Sequence, residues 1–149
     1  MKLDEIFDAW NVDSDIGVDL GNSSLKIAKL HYKYYRILSN ERLVLHKLRT
    51  DFDILKLKKE DYYKLGPTKE NTPKDDDGWK VDNRLTRKPI KETLNKLIAT
   101  DEDIIELSLK IDYQQEKVTF LEDIIKMVHS RGYQIKNAID YIKFKEGIT

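Results

Sequence analysis

Lys26, Lys29, Lys33 and Arg36 recur in steps of three and four, so on a helix they form one cationic stripe with Tyr32 and Tyr35 beside it. A second cluster, Lys56, Lys58, Lys59 and Lys64, surrounds Tyr62 and Tyr63. These residue types suit single-stranded nucleic acid. Ammonium groups replace the counterions condensed along a phosphate backbone, and each phenol ring offers a face on which a base stacks for about 1–3 kcal/mol. The pattern has an ordinary alternative as well, because a lysine-rich solvent face is the commonest outer surface of a helix. Lys59 and Tyr62 also occupy positions of an apolar repeat described below.

No other chemistry has its constellation. There is no glycine-rich phosphate loop, no histidine pair at metal-ligand spacing, no Cys/His dyad and no glycine-framed nucleophilic serine. The absence of cysteine excludes disulfides, thiolate chemistry and cysteine-based zinc sites. His31, His46 and His129 stand isolated in sequence, and His31 falls on the apolar repeat, as a core or interface residue would. The run Asp75-Asp76-Asp77-Gly78 invites a calcium reading, but the first ligand position would be Pro73 and the last Arg84, so the EF-hand pattern fails. Asp101 and Asp103 sit at a helix start, where capping accounts for them. The expectation is a protein that is not an enzyme and takes no cofactor or metal.

The 149 residues carry no formal net charge, although 36% of them are charged. The total conceals a segregation. Residues 1 to 24 hold one basic and six acidic side chains, whereas residues 25 to 66 hold eleven basic and five acidic ones. The middle of the chain can therefore present a local positive surface. No apolar run approaches a membrane span and the N-terminus has no apolar signal segment, so a soluble, intracellular protein with no membrane partner is expected.

The elements that must position the basic residues are helices. Between Asp101 and Arg131 the residues Ile104, Leu107, Ile111, Val118, Leu121, Ile125 and Val128 recur in alternating steps of three and four, broken only at Gln114. A second row, Ile105, Leu109, Tyr113, Phe120, Ile124 and Met127, widens this face beyond the need of a two-stranded seam, so the first row is assigned to oligomerisation. Thr100 is the expected N-cap, with Gly132 at the C′ position. Upstream, the heptad runs from Ser24 through Ile27, His31, Tyr34, Leu38, Glu41, Leu45, Leu48, Phe52, Leu55, Lys59 and Tyr62. Its phase survives Ser39-Asn40, which favours one long helix stopped by Gly66 and Pro67 over an antiparallel pair.

Leu3, Ile6, Phe7 and Trp10 predict a short helix on a detachable arm. Its aromatic pair either docks on a partner or packs on its own chain. Asn22-Ser23-Ser24 is a nominal glycosylation sequon read here as a helix cap. Pro89 fits a first helical position ahead of Ile90, Leu94, Leu97 and Ile98, and Ile135 to Phe144 suggest a last helix ending near Gly147. In the loop between, Trp79 reads as an anchor. No segment alternates as a strand does. The fold class is all-α: long helices with a heptad pattern forming a helical oligomer, and a loop between the two long-helix halves. The segments are an arm at 1–22, a basic, DNA-binding long helix at 23–66, the loop at 67–88 and a C-terminal oligomerisation part at 89–149.

Lys58-Lys59-Glu60-Asp61-Tyr62-Tyr63, Ala99-Thr100-Asp101-Glu102-Asp103, Tyr113-Gln114-Gln115-Glu116-Lys117-Val118 and Ser130 to Asn137 resemble the UvsY recombination mediators of T-even-type and marine phages. The order and spacing of parts match over nearly the whole chain. The resemblance implies a non-enzymatic accessory protein in the cytoplasm of an infected bacterium. Such a protein forms a ring-like homo-oligomer of hexamer to heptamer size and binds single-stranded DNA. It helps a RecA-like recombinase, UvsX, replace the single-strand DNA-binding protein. Of the family's basic positions before Asp-Tyr-Tyr, Lys59 carries over most directly, as lysine for arginine. The other falls on Leu57, between Lys56 and Lys58. The rival reading is a coiled-coil adaptor that holds a protein partner through Phe7 and Trp10 and does not touch DNA.

Overall fold

The computed structural model describes residues 1–65 and 89–147, and these form helices α1 (Leu3–Asp13), α2 (Leu20–Leu25), α3 (Ile27–Leu65), α4 (Lys91–Ala99) and α5 (Glu102–Lys145). There is no strand among the described residues, so the fold is all-α. The expected stop at Gly66 and Pro67, the loop at 67–88, its aspartate run and Trp79 lie outside the described residues.

The heptad phase reads α3 correctly. The helix runs unbroken through Ser39 and Asn40, and every repeat position from Ile27 to Tyr62 is buried or half-buried, Glu41 and Lys59 included. In α5 the phase is again the better guide. Gly132 was expected to end the helix and does not; α5 is 44 residues long and runs on to Lys145, and the buried positions Val128, Arg131 and Ile135 step through the glycine in register. The left-handed glycine after α5 is Gly147, at φ 69°, whose N–H donates to the carbonyl of Phe144 in the last turn.

Three caps also differ by a few positions from expectation. Asp101, not Thr100, caps α5: its Oδ1 accepts from the N–H of Asp103 and of Ile104, at 3.0 and 3.1 Å. The Thr100 hydroxyl instead donates back to the Lys96 carbonyl at the end of α4. Asp19 caps α2, accepting from the Asn22 N–H at 3.0 Å, which leaves Asn22, Ser23 and Ser24 inside the helix. Pro89 precedes the Ile90 cap of α4 and is not its first residue.

The chain divides into two compact units, each containing part of both long helices. Unit 1 comprises Met1–Arg42 and Glu116–Thr149. Within it α1 packs on its own chain: Ile6 and Trp10 are buried, the Trp10 ring meets Tyr34 edge-on at 5.3 Å, and Phe7 meets Phe120 at 4.6 Å. The aromatic pair offered to a partner is thus engaged internally, and the arm is not detached. The buried Glu41 and Lys117 pair at 2.7 Å, and Arg42 pairs with Glu122 at 2.9 Å. Unit 2 comprises Leu43–Gln115, with α4 laid against the end of α3. In each unit the two long helices run antiparallel, since partners on α3 ascend as those on α5 descend.

A Cβ at Gly132 meets no atom within 4 Å, and the residue lacks the positive φ that would strain alanine. Gly132→Ala is therefore expected to stabilise the protein by about 0.5–1 kcal/mol, read as a higher urea midpoint at unchanged m-value. A helix-ending glycine would give the opposite sign.

Candidate nucleic-acid interface

In unit 1 the stripe reaches solvent as its spacing requires. Lys26 immediately precedes α3, and Lys29, Lys33 and Arg36 are exposed along it, with Tyr32 at 67% and Tyr35 at 50% exposure. Lys33 is committed to the Asp13 carboxylate at 2.5 Å. Lys26, Lys29 and Arg36 have no ion pair among the described residues, so their charge is available to an anion. Tyr35 stacks on His31, with ring centroids 5.7 Å apart and planes 14° from parallel.

The second cluster divides in two. Lys56, Lys58 and Lys64 are exposed. Lys59, Tyr62 and Tyr63 are not, and the structure puts all three in the interior of unit 2. The Lys59 ammonium lies 3.0 Å from Asp101 and 2.9 Å from Asp103, with its side chain fully buried. The Tyr63 hydroxyl donates to Asp101 Oδ2 at 2.6 Å. Leu94, Leu97 and Ile98 of α4 pack over both tyrosine rings. In this conformation none of the three presents a face to a nucleic-acid strand. Lys59 and Tyr62 each satisfied two sequence patterns, the basic cluster and the heptad, and the heptad decided their place. A buried ammonium is tolerated because two carboxylates receive it.

The apolar row assigned to oligomerisation is likewise used inside the chain. Ile104, Val118, Leu121 and Val128 are buried, and Leu107, Ile111 and Ile125 half-buried. Of the second row, Ile105, Leu109, Tyr113 and Met127 are exposed, while Ile124 is buried and Phe120 half-buried. Tyr133, Ile139, Tyr141, Ile142 and Phe144 are exposed further along α5. The surplus of apolar surface was legible in the sequence; which of its residues face outward was not.

His31 and His129, isolated in sequence, meet in unit 1 with ring centroids 5.1 Å apart. Among the described residues no three potential ligands gather in a metal-binding group, and no helix is long and apolar enough to cross a membrane.

Asp13 joins the end of α1 to α3. Burial pushes its carboxyl up, but donation from Lys33 and Tyr34 and the charges of Lys33 and Arg131 outweigh this, leaving it below the ordinary carboxylate range. For Tyr34, burial first and then Asp13 push the hydroxyl upward. Because the folded-state value of Asp13 is depressed, its contribution to stability is full above the unfolded value near pH 4 and is lost as pH falls through the folded one. Asp13→Asn is expected to flatten that part of the acid limb in a denaturation series between about pH 2 and 5, with little change in slope near neutrality.

Removing Lys59 leaves two carboxylates without their shared cation, Asp101 buried and Asp103 partly buried. Lys59→Ala is expected to cost about 3–5 kcal/mol of unfolding free energy, while the exposed neighbour Lys58→Ala stays within about 0.5 kcal/mol. Chemical denaturation of the two variants compares them directly.

A family model described as the recombination, repair and ssDNA binding protein UvsY matches residues 9–148. Three crystal structures of the bacteriophage T4 recombination mediator protein UvsY, in lattice types II, IV and I, align with TM-scores of 0.79, 0.76 and 0.77. They are 17%, 16% and 15% identical, and the alignments cover 98%, 97% and 95% of this chain and 98%, 99% and 98% of theirs. No curated relative matches the sequence. The structures establish a shared fold, and the family match extends over almost the whole length: the chain belongs to the UvsY family.

Proposed function

We propose that this protein is a recombination mediator that binds single-stranded DNA as a homo-oligomer and promotes loading of a RecA/UvsX-like recombinase in place of the single-strand DNA-binding protein. The observation that carries the DNA-binding part is the exposed set Lys26, Lys29 and Arg36, without an ion pair among the described residues, beside exposed Tyr32 and Tyr35. In unit 2, Lys56, Lys58 and Lys64 of α3 form a second exposed cationic set. Family membership supports the recombination context; the recombinase and the single-strand DNA-binding protein as partners, and the cytoplasm of a phage-infected bacterium as the place, belong to the proposal.

In this reading Lys59, Tyr62 and Tyr63 serve DNA binding indirectly, by fixing the helix that displays the exposed lysines. The subunit contacts fall to the exposed apolar residues of α5, Ile105, Leu109, Tyr113, Ile142 and Phe144, and the row from Ile104 to Val128 supports them from within. Assembly into a ring of hexamer to heptamer size repeats a weak site. Once one subunit has captured a strand, its neighbours bind at high effective concentration. A strand held extended along such a surface is one from which a competing binding protein is displaced and on which a recombinase nucleates. The adaptor reading is left with less to hold a partner, since Trp10 is buried against Tyr34 and Phe7, 43% exposed, has one side against Phe120.

Fluorescence anisotropy of a labelled oligonucleotide across a salt series tests this. The parent is expected to bind single strands in a strongly salt-dependent manner that duplex competes for poorly. The triple variant Lys26→Ala, Lys29→Ala, Arg36→Ala is expected to reduce the slope of log K against log salt by about 2 for each engaged subunit. An unchanged slope removes this surface from the DNA path, and no binding at low salt by an oligomeric sample returns the adaptor reading.

A further inference from the structure

Unit 1 contains an open cleft of about 550 Å³ between the segment after α1, helix α2 and the start of α3, with Arg131 of α5 at its base. That volume falls within the range of small-molecule sites, roughly 300–1,000 Å³. We propose that this cleft is a nucleotide site, taking one nucleotide of a bound single strand with its phosphate against Lys26 and Lys29 and its base against Val12 and Val18. The proposal rests on the single-strand reading and deepens it.

The wall is built before any ligand arrives. Arg131, 6% exposed, donates to the carbonyls of Ser14 and Asp15, which fixes the turn at the end of α1. Gly17 supplies the left-handed residue of that turn at φ 71°, and its N–H is received by Asp15 Oδ1 at 2.9 Å. The Ser23 hydroxyl bonds the Ile16 carbonyl and ties the turn to α2. Of the lining carboxylates, Asp13 pairs with Lys33 and accepts from Tyr34, Asp15 accepts from the Gly17 N–H, and Asp19 accepts from the Asn22 N–H as the cap of α2. Of the cations in the lining, Lys33 pairs with Asp13 and Arg131 donates to the two carbonyls, whereas Lys26 and Lys29 have no ion pair among the described residues.

The apolar part of the lining is exposed in a way that a core would not leave it. Val12 is 73% exposed and Val18 is fully exposed, with half-buried Ile16 and Leu30 behind. A flat ring laid over these side chains removes apolar surface from water while its attached phosphate meets the lysines. A strand entering here leaves along Lys33 and Arg36, one and two turns further on α3, past exposed Tyr32. The shared chemistry is a nucleotide monophosphate, whether free or as a unit of a polymer.

The test is methyl-labelled NMR of the full chain, following the methyls of Val12, Ile16 and Val18 during titration with thymidine 5′-monophosphate, a short oligothymidylate and inorganic phosphate, beside anisotropy of the same oligonucleotide. The expected result is saturable shifts of these methyls with oligothymidylate, weakened roughly tenfold by Lys29→Ala. Shifts with the monophosphate as well assign the site to free nucleotides too; shifts with the polymer alone assign it to the strand. Identical shifts with inorganic phosphate overturn the base contact. Anisotropy binding with silent methyls overturns the cleft and leaves the single-strand reading standing, whereas no anisotropy change and no methyl shift overturn both.

Discussion

The structure of unit 2 depends on one buried charge. The Lys59 ammonium has been taken out of water, and an unpaired cation in that position would cost more than the unit could tolerate. Asp101 and Asp103 meet it, and Asp101 in the same geometry caps α5 and receives the Tyr63 hydroxyl. Three elements are thereby referred to a single carboxylate: the end of α3, the start of α5 and, through the rings of Tyr62 and Tyr63, the apolar face of α4. Apolar contacts alone tolerate small shifts in register, but an ion pair at about 3 Å with a hydroxyl on the same oxygen does not. Unit 1 uses the same device at Glu41 and Lys117, again at a heptad position of α3.

This arrangement explains which parts of the fold the sequence made legible. Strict spacing in steps of three and four predicted both long helices and the repeat residues of α3 that face inward, because burial of one helical stripe is a property of the chain itself. Reliance on single residue types misled. Gly132 has helix-ending chemistry, yet Val128, Arg131 and Ile135 kept the phase across it, and the packing along the whole stripe outweighed a propensity cost of about 1 kcal/mol. Thr100 and Asp101 are both good caps, and the choice between them was made by Lys59 and Tyr63, which lie far away in sequence.

The candidate site was half legible for a related reason. Lysine and tyrosine types say what a surface can do, but only the tertiary partner says whether there is a surface. Among the described residues Lys29 and Arg36 meet no carboxylate and are exposed, whereas Lys59 meets two and is buried. The charge segregation along the chain marks where exposed cations gather, and among the described residues the acidic N-terminal segment pairs with Lys33 of the stripe through Asp13. The cleft beside it was invisible in sequence. It arises where the turn after α1 is held by Arg131, more than a hundred residues later.

The central claim is a separation of roles on α3, with Lys59 as an internal pin and its exposed neighbours as the charge that meets DNA. Lys59→Met keeps the buried stem and removes only the ammonium, so the salt dependence of single-strand binding by this variant, at a temperature where circular dichroism shows it folded, addresses the claim directly. The account predicts a slope of log K against log salt equal to that of the parent, because no released counterion belongs to Lys59. A slope lower by about 0.7 per engaged subunit, in a protein whose stability has not changed, would contradict it and place Lys59 on the strand.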